Sequence, residues 1–223
     1  MLCLERLGYH PTATEYPILS EINLEIPPTS LTAIVGPSGS GKTTLLDILA
    51  GLAEPTSGRV AWRSQTLIPE QLHQLVGLVF QFPERHFCGM TILEELRLGH
   101  PELRTEQVYA ALKEVGLGDL SIDQAPHELS GGQQRRLALA VQLIRQPQIL
   151  MLDEPTAGLD WSMRRQLVAL LAKLKQQWSL LVVTHDAAEL SEVADHCWAI
   201  EAGRLRAIEV AALGLSGTVK PAS

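Results

Sequence analysis

The octapeptide GPSGSGKT, residues 36–43, decides the fold of this chain. It matches the pattern G-x-x-x-x-G-K-[ST] at every fixed position. The segment before it, residues 31–35, is apolar and β-branched, which predicts a buried strand. After it, Leu45, Leu46 and Leu49 have the spacing of an apolar helix face. A strand, a glycine-rich loop and a helix in this order form the context that a phosphate-binding loop requires.

The residue types of this loop suit a polyphosphate ligand. Glycines let the backbone turn sharply and approach a phosphate without an intervening Cβ. The backbone N–H groups then face the anion at the positive end of the following helix. Lys42 is expected to reach the β- and γ-phosphates, and the Thr43 hydroxyl is expected to bind Mg²⁺. The predicted nucleotide-binding residues here are Gly36, Pro37, Ser38, Gly39, Ser40, Gly41, Lys42, Thr43 and Thr44.

Composition narrows the class of protein. The chain has 223 residues, of which 46% are hydrophobic, so it can form one large domain or a core with a subdomain. Aromatic residues are only 4% and the net charge is −7, which argues against nucleic acid as a partner. Its three cysteines are scattered, which predicts neither a disulfide framework nor a zinc site. No apolar run approaches the length of a transmembrane helix, so service to a membrane would need a partner.

Strands that alternate with helices predict an α/β fold with a mostly parallel sheet. Short alternating strands at residues 2–7 and 22–26, with a strand pair around Gly58, predict a small antiparallel sheet beside it. A helical pattern fills residues from about 84 to 145 and predicts an inserted helical subdomain. The α/β core with its β subdomain is therefore expected to comprise residues 1–83 and 146–223. The small polar residues 214–223 are expected to fray.

Polar residues follow four of the predicted strands. The glycine-rich loop, Gln81, Asp153 and His185 each come directly after an apolar strand. In parallel sheets ligands bind at the carboxyl ends of the strands, so these groups are expected to meet. Asp153 would hold Mg²⁺ beside Thr43, and Glu154 would face the attacking water.

A second phosphate-binding segment is predicted at ELSGGQQRR, residues 128–136. Ser130 can cap the helix that follows, and the glycines leave its first N–H groups bare. One nucleotide cannot occupy two distant sites on one chain, so a two-fold dimer would let this loop cover the nucleotide of the other subunit. A loop that merely caps a helix is the alternative. The residues concerned are Ser130, Gly131, Gly132 and Gln133.

The chain resembles the nucleotide-binding subunit of an ABC transporter, a P-loop NTPase with a RecA-like core. The glycine-rich loop, Gln81, the LSGGQ segment, the Asp153–Glu154 pair, the segment 157–160 and His185 occur in the order of that family. The resemblance covers nearly the whole chain. It implies ATP and Mg²⁺ as cofactors and ATP hydrolysis as the activity.

The resemblance also implies individual roles. Gln81 would touch Mg²⁺ or the water, Asp160 would cross the dimer interface, and His185 would contact the γ-phosphate. Glu154, His185 and Gln81 thus form the implied catalytic set. An aromatic residue upstream of the loop should stack on adenine; spacing allows Tyr9 or Tyr16, and Tyr9 is preferred because it closes the first strand.

A finer resemblance lies in residues 79–96, VFQFPERHFCGMTILEEL. This segment is similar to the corresponding region of energy-coupling-factor (ECF) ATPases and of cobalt/nickel-type importers. It implies import of a vitamin or metal ion, with a transmembrane subunit in contact near residues 82–95. The chain would then lie in the cytoplasm, peripheral on the inner face of the cell membrane.

Other interpretations stay open. The chain could be a soluble ABC ATPase outside transport, for example of the iron–sulphur assembly type, or the ATPase subunit of an exporter. The second ATPase subunit could be a copy of this chain or a different one. An exposed apolar surface at residues 82–95 would favour a membrane partner, and a charged surface there would favour the soluble class.

Overall fold

The computed structural model describes residues 1–186 and 188–210. Within them, strands and helices combine into two sheets with helices packed against the larger one. This is the α/β architecture that the alternating pattern predicts. The tail that is expected to fray, residues 214–223, lies outside the described residues.

The larger sheet contains six strands: β3 (Leu31–Val35), β6 (Val76–Val79), β7 (Ile149–Asp153), β8 (Ser179–Thr184), β9 (His196–Glu201) and β10 (Arg204–Ile208). Their spatial order is β10-β9-β3-β8-β7-β6. Strands β6, β7, β8, β3 and β9 are parallel, and β10 returns antiparallel to β9 as a hairpin. Every residue of β3, β7 and β8 is buried, as expected for strands that are covered on both faces.

Alternation along these strands divides the core in two. Leu31, Ala33 and Val35 of β3 point into one apolar cluster, and Ile34 between them points into the other. The first cluster contains the buried side chains of the helices between residues 92 and 174. The second joins the larger sheet to the helix after the glycine-rich loop and to the smaller sheet. Because successive side chains of a strand point to opposite faces of the sheet, their order in the sequence determines which residues enter each cluster.

The smaller sheet is antiparallel and contains β1 (Leu2–Tyr9), β2 (Leu19–Ile26), β4 (Ser57–Trp62) and β5 (Gln65–Thr66) in the order β2-β1-β4-β5. The expected strand pair near Gly58 is present, but its turn lies further along the chain. Arg63 and Ser64 form that turn with positive φ angles. Gly58 lies within β4 at φ 74°, where a Cβ would come 2.3 Å from the Arg6 carbonyl oxygen of the neighbouring strand.

Six α-helices lie in the described ranges: α1 (Lys42–Leu49), α2 (Pro69–Leu75), α3 (Ile92–Arg97), α4 (Thr105–Glu114), α5 (Gly131–Leu143) and α6 (Trp161–Leu174). Three of them, α3 to α5, lie between strands β6 and β7 and form the helical segment predicted from about residue 84 to 145. Buried apolar residues of α4 and α5 pack into the same cluster as α6. The boundaries of the subdomain stay a prediction.

Candidate functional site

The glycine-rich loop leaves the carboxyl end of β3, inside the larger sheet. Gly39 and Gly41 have φ angles of 79° and 101°, in the region that side chains with a Cβ avoid. A Cβ on Gly36 would lie 2.5 Å from the carbonyl oxygen of Ile200, so packing requires glycine there too. The loop therefore turns at two glycines and fits against β9 at the third.

Helix α1 begins at Lys42, and the side chain of Lys42 folds back over the loop. Its Nζ donates hydrogen bonds to the carbonyl oxygens of Gly36 at 2.8 Å and Pro37 at 3.0 Å. The hydroxyl of Ser40 is buried and has no hydrogen-bond partner among the residues that the structure describes. The loop at the helix N-terminus thus contains the buried ammonium group of Lys42 and the buried hydroxyl of Ser40, which has no partner. Both groups suit an anionic ligand.

Oxygen ligands for a hard cation meet between α1 and β7. The Thr43 hydroxyl donates to Asp153 Oδ2 over 3.0 Å. Burial raises the pKa of Asp153, the Thr43 hydrogen bond partly opposes this effect, and the nearby charge of Glu154 raises the pKa further. No cluster of three or more His, Cys, Asp and Glu in residues 1–186 and 188–210 could hold a metal by itself. A cation beside Thr43 and Asp153 would therefore take further ligands from phosphate or water.

Glu154, directly after β7, is held from several sides. Its φ is 46°, an uncommon conformation for a residue with a side chain. Oε2 accepts hydrogen bonds from the Thr184 hydroxyl at 3.1 Å and the His185 backbone N–H at 3.2 Å, and lies 2.8 Å from His185 Nδ1. Oε1 lies 3.7 Å from Lys42 Nζ, and both side chains of this ion pair are buried. The carboxylate is thus fixed between the loop lysine and the end of β8.

These groups face a single cleft of about 640 Å³. The four strand ends that the sequence singles out all contribute to it. The cleft is lined by Ile18, Pro37, Ser38, Gly39, Gly41, Lys42, Thr43, Thr44, Gln81, Asp153, Glu154 and His185. It places ammonium and N–H donors beside carboxylates, an arrangement that can bind a phosphate chain and orient a water next to it.

Neither candidate for adenine stacking lines this cleft. Tyr9, the last residue of β1, is half-buried and packs against the second apolar cluster, and Tyr16 is exposed to 72%. Ile18 lines the cleft instead, and its backbone N–H donates to the Tyr9 carbonyl oxygen over 2.9 Å. Sequence reasoning missed Ile18, because an aliphatic residue before a strand has no distinguishing pattern. A stacking role for Tyr9 or Tyr16 stays a prediction.

The LSGGQ segment, residues 129–133, which we name the signature segment, caps α5 as expected. The Ser130 hydroxyl accepts from the Gln133 backbone N–H at 3.3 Å, and Gln133 Oε1 accepts from the Ser130 N–H at 2.8 Å. Asp160 caps α6 in the same manner, by accepting from the Met163 N–H at 2.9 Å. Gly131 faces open space, since a Cβ there would meet nothing within 4 Å. None of these residues lines the cleft of the chain's own glycine-rich loop.

A family profile described as ABC transporter matches residues 19–157, more than half of the chain. ABC transporter I family member 11, chloroplastic, of Arabidopsis thaliana is 42% identical over 214 residues, which cover 87% of this chain and 76% of that protein.

The energy-coupling factor transporter ATP-binding protein EcfA2 of Latilactobacillus sakei is 40% identical over 200 residues, which cover 83% of this chain and 69% of that protein. Among solved structures, cbiO1 from Clostridium perfringens, part of the ABC transporter complex cbiONQ, superposes with a TM-score of 0.84 at 29% identity. That match covers 92% of this chain and 86% of cbiO1.

Proposed function

Because this chain belongs to the ABC transporter family and is an ATP-binding ABC ATPase, we propose that it powers import through a separate membrane protein of the energy-coupling-factor type. The relative from Latilactobacillus sakei and the cbiO1 structure support this subtype. The transported substrate is of the vitamin or metal-ion class and is bound by other subunits. In the described part of the chain, no helix has the length and apolar character needed to span a bilayer.

An exposed apolar surface directly after Gln81 carries this proposal. Phe82 is exposed to 36% and Met90 to 76%, and the Arg85 guanidinium lies 4.7 Å from the centre of the Phe82 ring. We name Phe82, Arg85 and Met90 the coupling surface. Two exposed apolar side chains, one of them stacked with a cation, suit an amphipathic helix of a membrane protein. These residues do not form the wholly charged surface that would favour the soluble class.

Two acidic residues of α3 hold the loop that presents Met90. The Glu95 carboxylate is buried and accepts hydrogen bonds from the Cys88 and Gly89 N–H groups, both at 2.7 Å. Glu94 accepts from the Met90 N–H at 2.8 Å. The loop is therefore ordered before any partner arrives, which lowers the entropic cost of docking.

Hydrolysis would use the groups that face the cleft. A phosphate chain would replace the Gly36 and Pro37 carbonyl oxygens as the partner of Lys42. Thr43 and Asp153, with Gln81 beside them, would hold Mg²⁺, which would neutralise developing phosphate charge. Glu154 would orient the attacking water, and His185 would contact the γ-phosphate. The buried ammonium and the N–H donors are in place before reaction, so little reorganisation is needed in the transition state.

A second subunit completes the proposed ATP site. Ser130, Gly131, Gly132 and Gln133 of the signature segment, together with Asp160, lie outside the cleft of their own chain. In a head-to-tail dimer they would cover the nucleotide of the other subunit, which is either a copy of this chain or a second ATPase. The dimer would lie on the inner face of the membrane, with residues 82–95 toward the membrane subunit.

Photo-crosslinking in native membranes tests the membrane partner. Met90 is replaced by the photo-crosslinker p-benzoylphenylalanine in the full chain, and Leu52, exposed to 54% after α1, is replaced in a control chain. We expect a covalent adduct between position 90 and a multi-spanning membrane protein, with no such adduct from position 52.

Adducts with soluble proteins alone at position 90 would refute membrane coupling and favour the soluble ABC class. An adduct with a subunit whose transport runs outward would favour the exporter class. Equal yields from positions 52 and 90 would show that the coupling surface has no special role.

A further inference from the structure

One buried arginine links α5, the helix that follows the signature segment and is called the signature helix below, to the backbone of Glu154 and the residues after it. Arg135 lies in the second turn of α5, and its side chain points into the core. Its guanidinium donates to the carbonyl oxygens of Glu154 at 3.2 Å, Pro155 at 2.9 Å and Ala157. One side chain thus binds three carbonyls of a single short loop, which we name the 154–157 loop.

The hydrogen bonds of Arg135 matter because its positive charge is buried. Arg135 is exposed to only 6%, and within the described residues no carboxylate lies at ion-pair distance from it. Burial lowers the pKa of the guanidinium, and the more distant charge of Glu84 partly opposes this effect. A buried charge without a counter-ion is costly unless its donors are paired. The carbonyls of the 154–157 loop are therefore its principal compensation.

The loop needs a partner of this kind. Glu154 has a left-handed backbone conformation, which persists only where the surroundings impose it. Its N–H donates to Val183 on β8 at 2.9 Å, and its carbonyl oxygen accepts from Arg135 and from the Ala157 N–H. Pro155 has no N–H, so its carbonyl oxygen is its only backbone hydrogen-bonding group. If Arg135 is removed, the buried carbonyl of Pro155 and the partly buried carbonyl of Ala157 lose their charged donor, and the backbone of Glu154 loses one of its restraints.

We propose that Arg135 is a positioning residue, which fixes the Glu154 carboxylate for hydrolysis and ties it to the signature helix. The inference rests on the proposed function of Glu154 and of the signature segment in ATP hydrolysis. In the proposed dimer, Glu154 serves the nucleotide on its own chain and Ser130 serves the nucleotide on the other. Arg135 connects the two through one helical turn and one hydrogen-bonded loop, so a shift at one site reaches the other.

Substitution of Arg135 in the full chain tests this role. Arg135→Met keeps an unbranched apolar stem in the core and removes all donors. We expect kcat for ATP hydrolysis to fall about tenfold or more, because displacing a catalytic group by an ångström costs about a hundredfold. The Kd for ATP should stay within about threefold of wild type, since binding resides in the glycine-rich loop. Arg97→Met is the matched control: Arg97 donates to the Leu103 carbonyl oxygen away from the cleft, and kcat should not change.

A double mutant separates positioning from general destabilisation. If Arg135 acts through Glu154, adding Arg135→Met to Glu154→Gln should lower the residual rate by less than about twofold. A loss that multiplies with that of Glu154→Gln would overturn the proposal. So would wild-type kcat in Arg135→Met, or a fall in ATP affinity that accounts for the lost rate.

If Arg135→Met does not fold, Arg135→Lys decides the question. Lysine keeps the charge but lacks the planar fork that reaches several carbonyls. It should bind ATP normally and show reduced kcat, and a wild-type kcat would overturn the proposal. The proposal of a membrane partner is tested separately, because crosslinking at position 90 does not depend on Arg135. Absence of hydrolysis by the wild-type chain would refute the ATPase itself.

Discussion

At the scale of single residues, the cleft is held ready by contacts that a nucleotide would exchange. Lys42 donates to its own loop and pairs with Glu154, and Glu154 in turn is held by Thr184 and His185. Each group therefore keeps a partner while no phosphate is bound. This avoids the cost of buried charges without partners and preserves the geometry of the cleft.

Glu154→Gln separates binding from hydrolysis. The amide keeps the shape of the side chain but is a far weaker acceptor of the proton from water. We expect ATP to bind with nearly wild-type affinity, while steady-state phosphate release falls about a hundredfold or more. Wild-type turnover in this variant would remove Glu154 from its proposed role.

Lys42→Ala should weaken ATP binding and reduce turnover together. The substitution removes the ammonium group expected to bind the phosphates, and a hydrogen bond to a charged group is worth about 1.5–3 kcal/mol. The Kd for ATP, measured by titration calorimetry, should rise about tenfold to a hundredfold. Wild-type affinity would contradict the assignment of the glycine-rich loop.

Sequence alone predicted the cleft residues that belong to motifs of fixed spacing. Gln81, Asp153, Glu154, His185 and seven of the nine predicted loop residues line the cleft. Gly36, which packs against Ile200, and Ser40, whose hydroxyl is buried, are not part of its lining. Ile18 and Arg135 were missed for a physical reason. Each acts by a contact between segments distant along the chain, and no local pattern records which carbonyl a buried arginine will meet.

At the scale of elements, long-range side-chain contacts fix where the strands begin. Asp195 precedes β9, and its Oδ2 accepts from the Leu31 N–H at the start of β3 over 2.8 Å. Its Oδ1 pairs with Lys175 at the end of α6 over 2.8 Å. One carboxylate thus joins two strands and a helix on the amino side of the larger sheet, opposite the cleft.

This junction predicts a dependence of stability on pH. Burial alone would raise the pKa of Asp195, but the Leu31 and Lys175 hydrogen bonds and the Lys175 charge outweigh it and lower the pKa. A carboxyl whose pKa is lowered by folding stabilises the fold fully above its unfolded value, about 3.9. That stabilisation is lost as the pH falls through the lower folded value.

Asp195→Asn should therefore reduce Tm at neutral pH and flatten the loss of Tm below about pH 4. Thermal unfolding followed by circular dichroism across this range measures both effects. Parallel Tm curves for wild type and variant would show that Asp195 does not contribute to the acid sensitivity.

The elements themselves were predictable where apolar periodicity was strong. The buried strands β3, β7 and β8 appear where the apolar runs placed them, and helices α3 to α5 fall within the helical segment predicted from about residue 84 to 145. The ends of β1 and β2 were less predictable, because their pairing continues to Tyr9 and Leu19 through irregular register that breaks the alternation. Helix α2 was missed, since it is short and buries only Leu72.

At the scale of the whole molecule, the arrangement of the motifs argues for an assembly. One cleft gathers four strand ends, while the signature segment and the coupling surface lie outside it and face away from the chain's own core. The sequence indicated a parallel sheet but not the order of its strands, because crossovers between distant segments leave no local signal. The order β3-β8-β7 is what brings Lys42, Glu154 and His185 together.

The most direct test of the central claim is co-purification from native membranes. The tagged full chain is expressed in its native host, the membranes are solubilised gently, and the isolated complex is identified by mass spectrometry. We expect a multi-spanning membrane protein with two ATPase subunits, and we expect Met90→Asp to lose the membrane protein while Leu52→Asp retains it. Recovery of soluble partners alone, with the chain absent from the membrane fraction, would contradict membrane transport and leave only the ATPase chemistry.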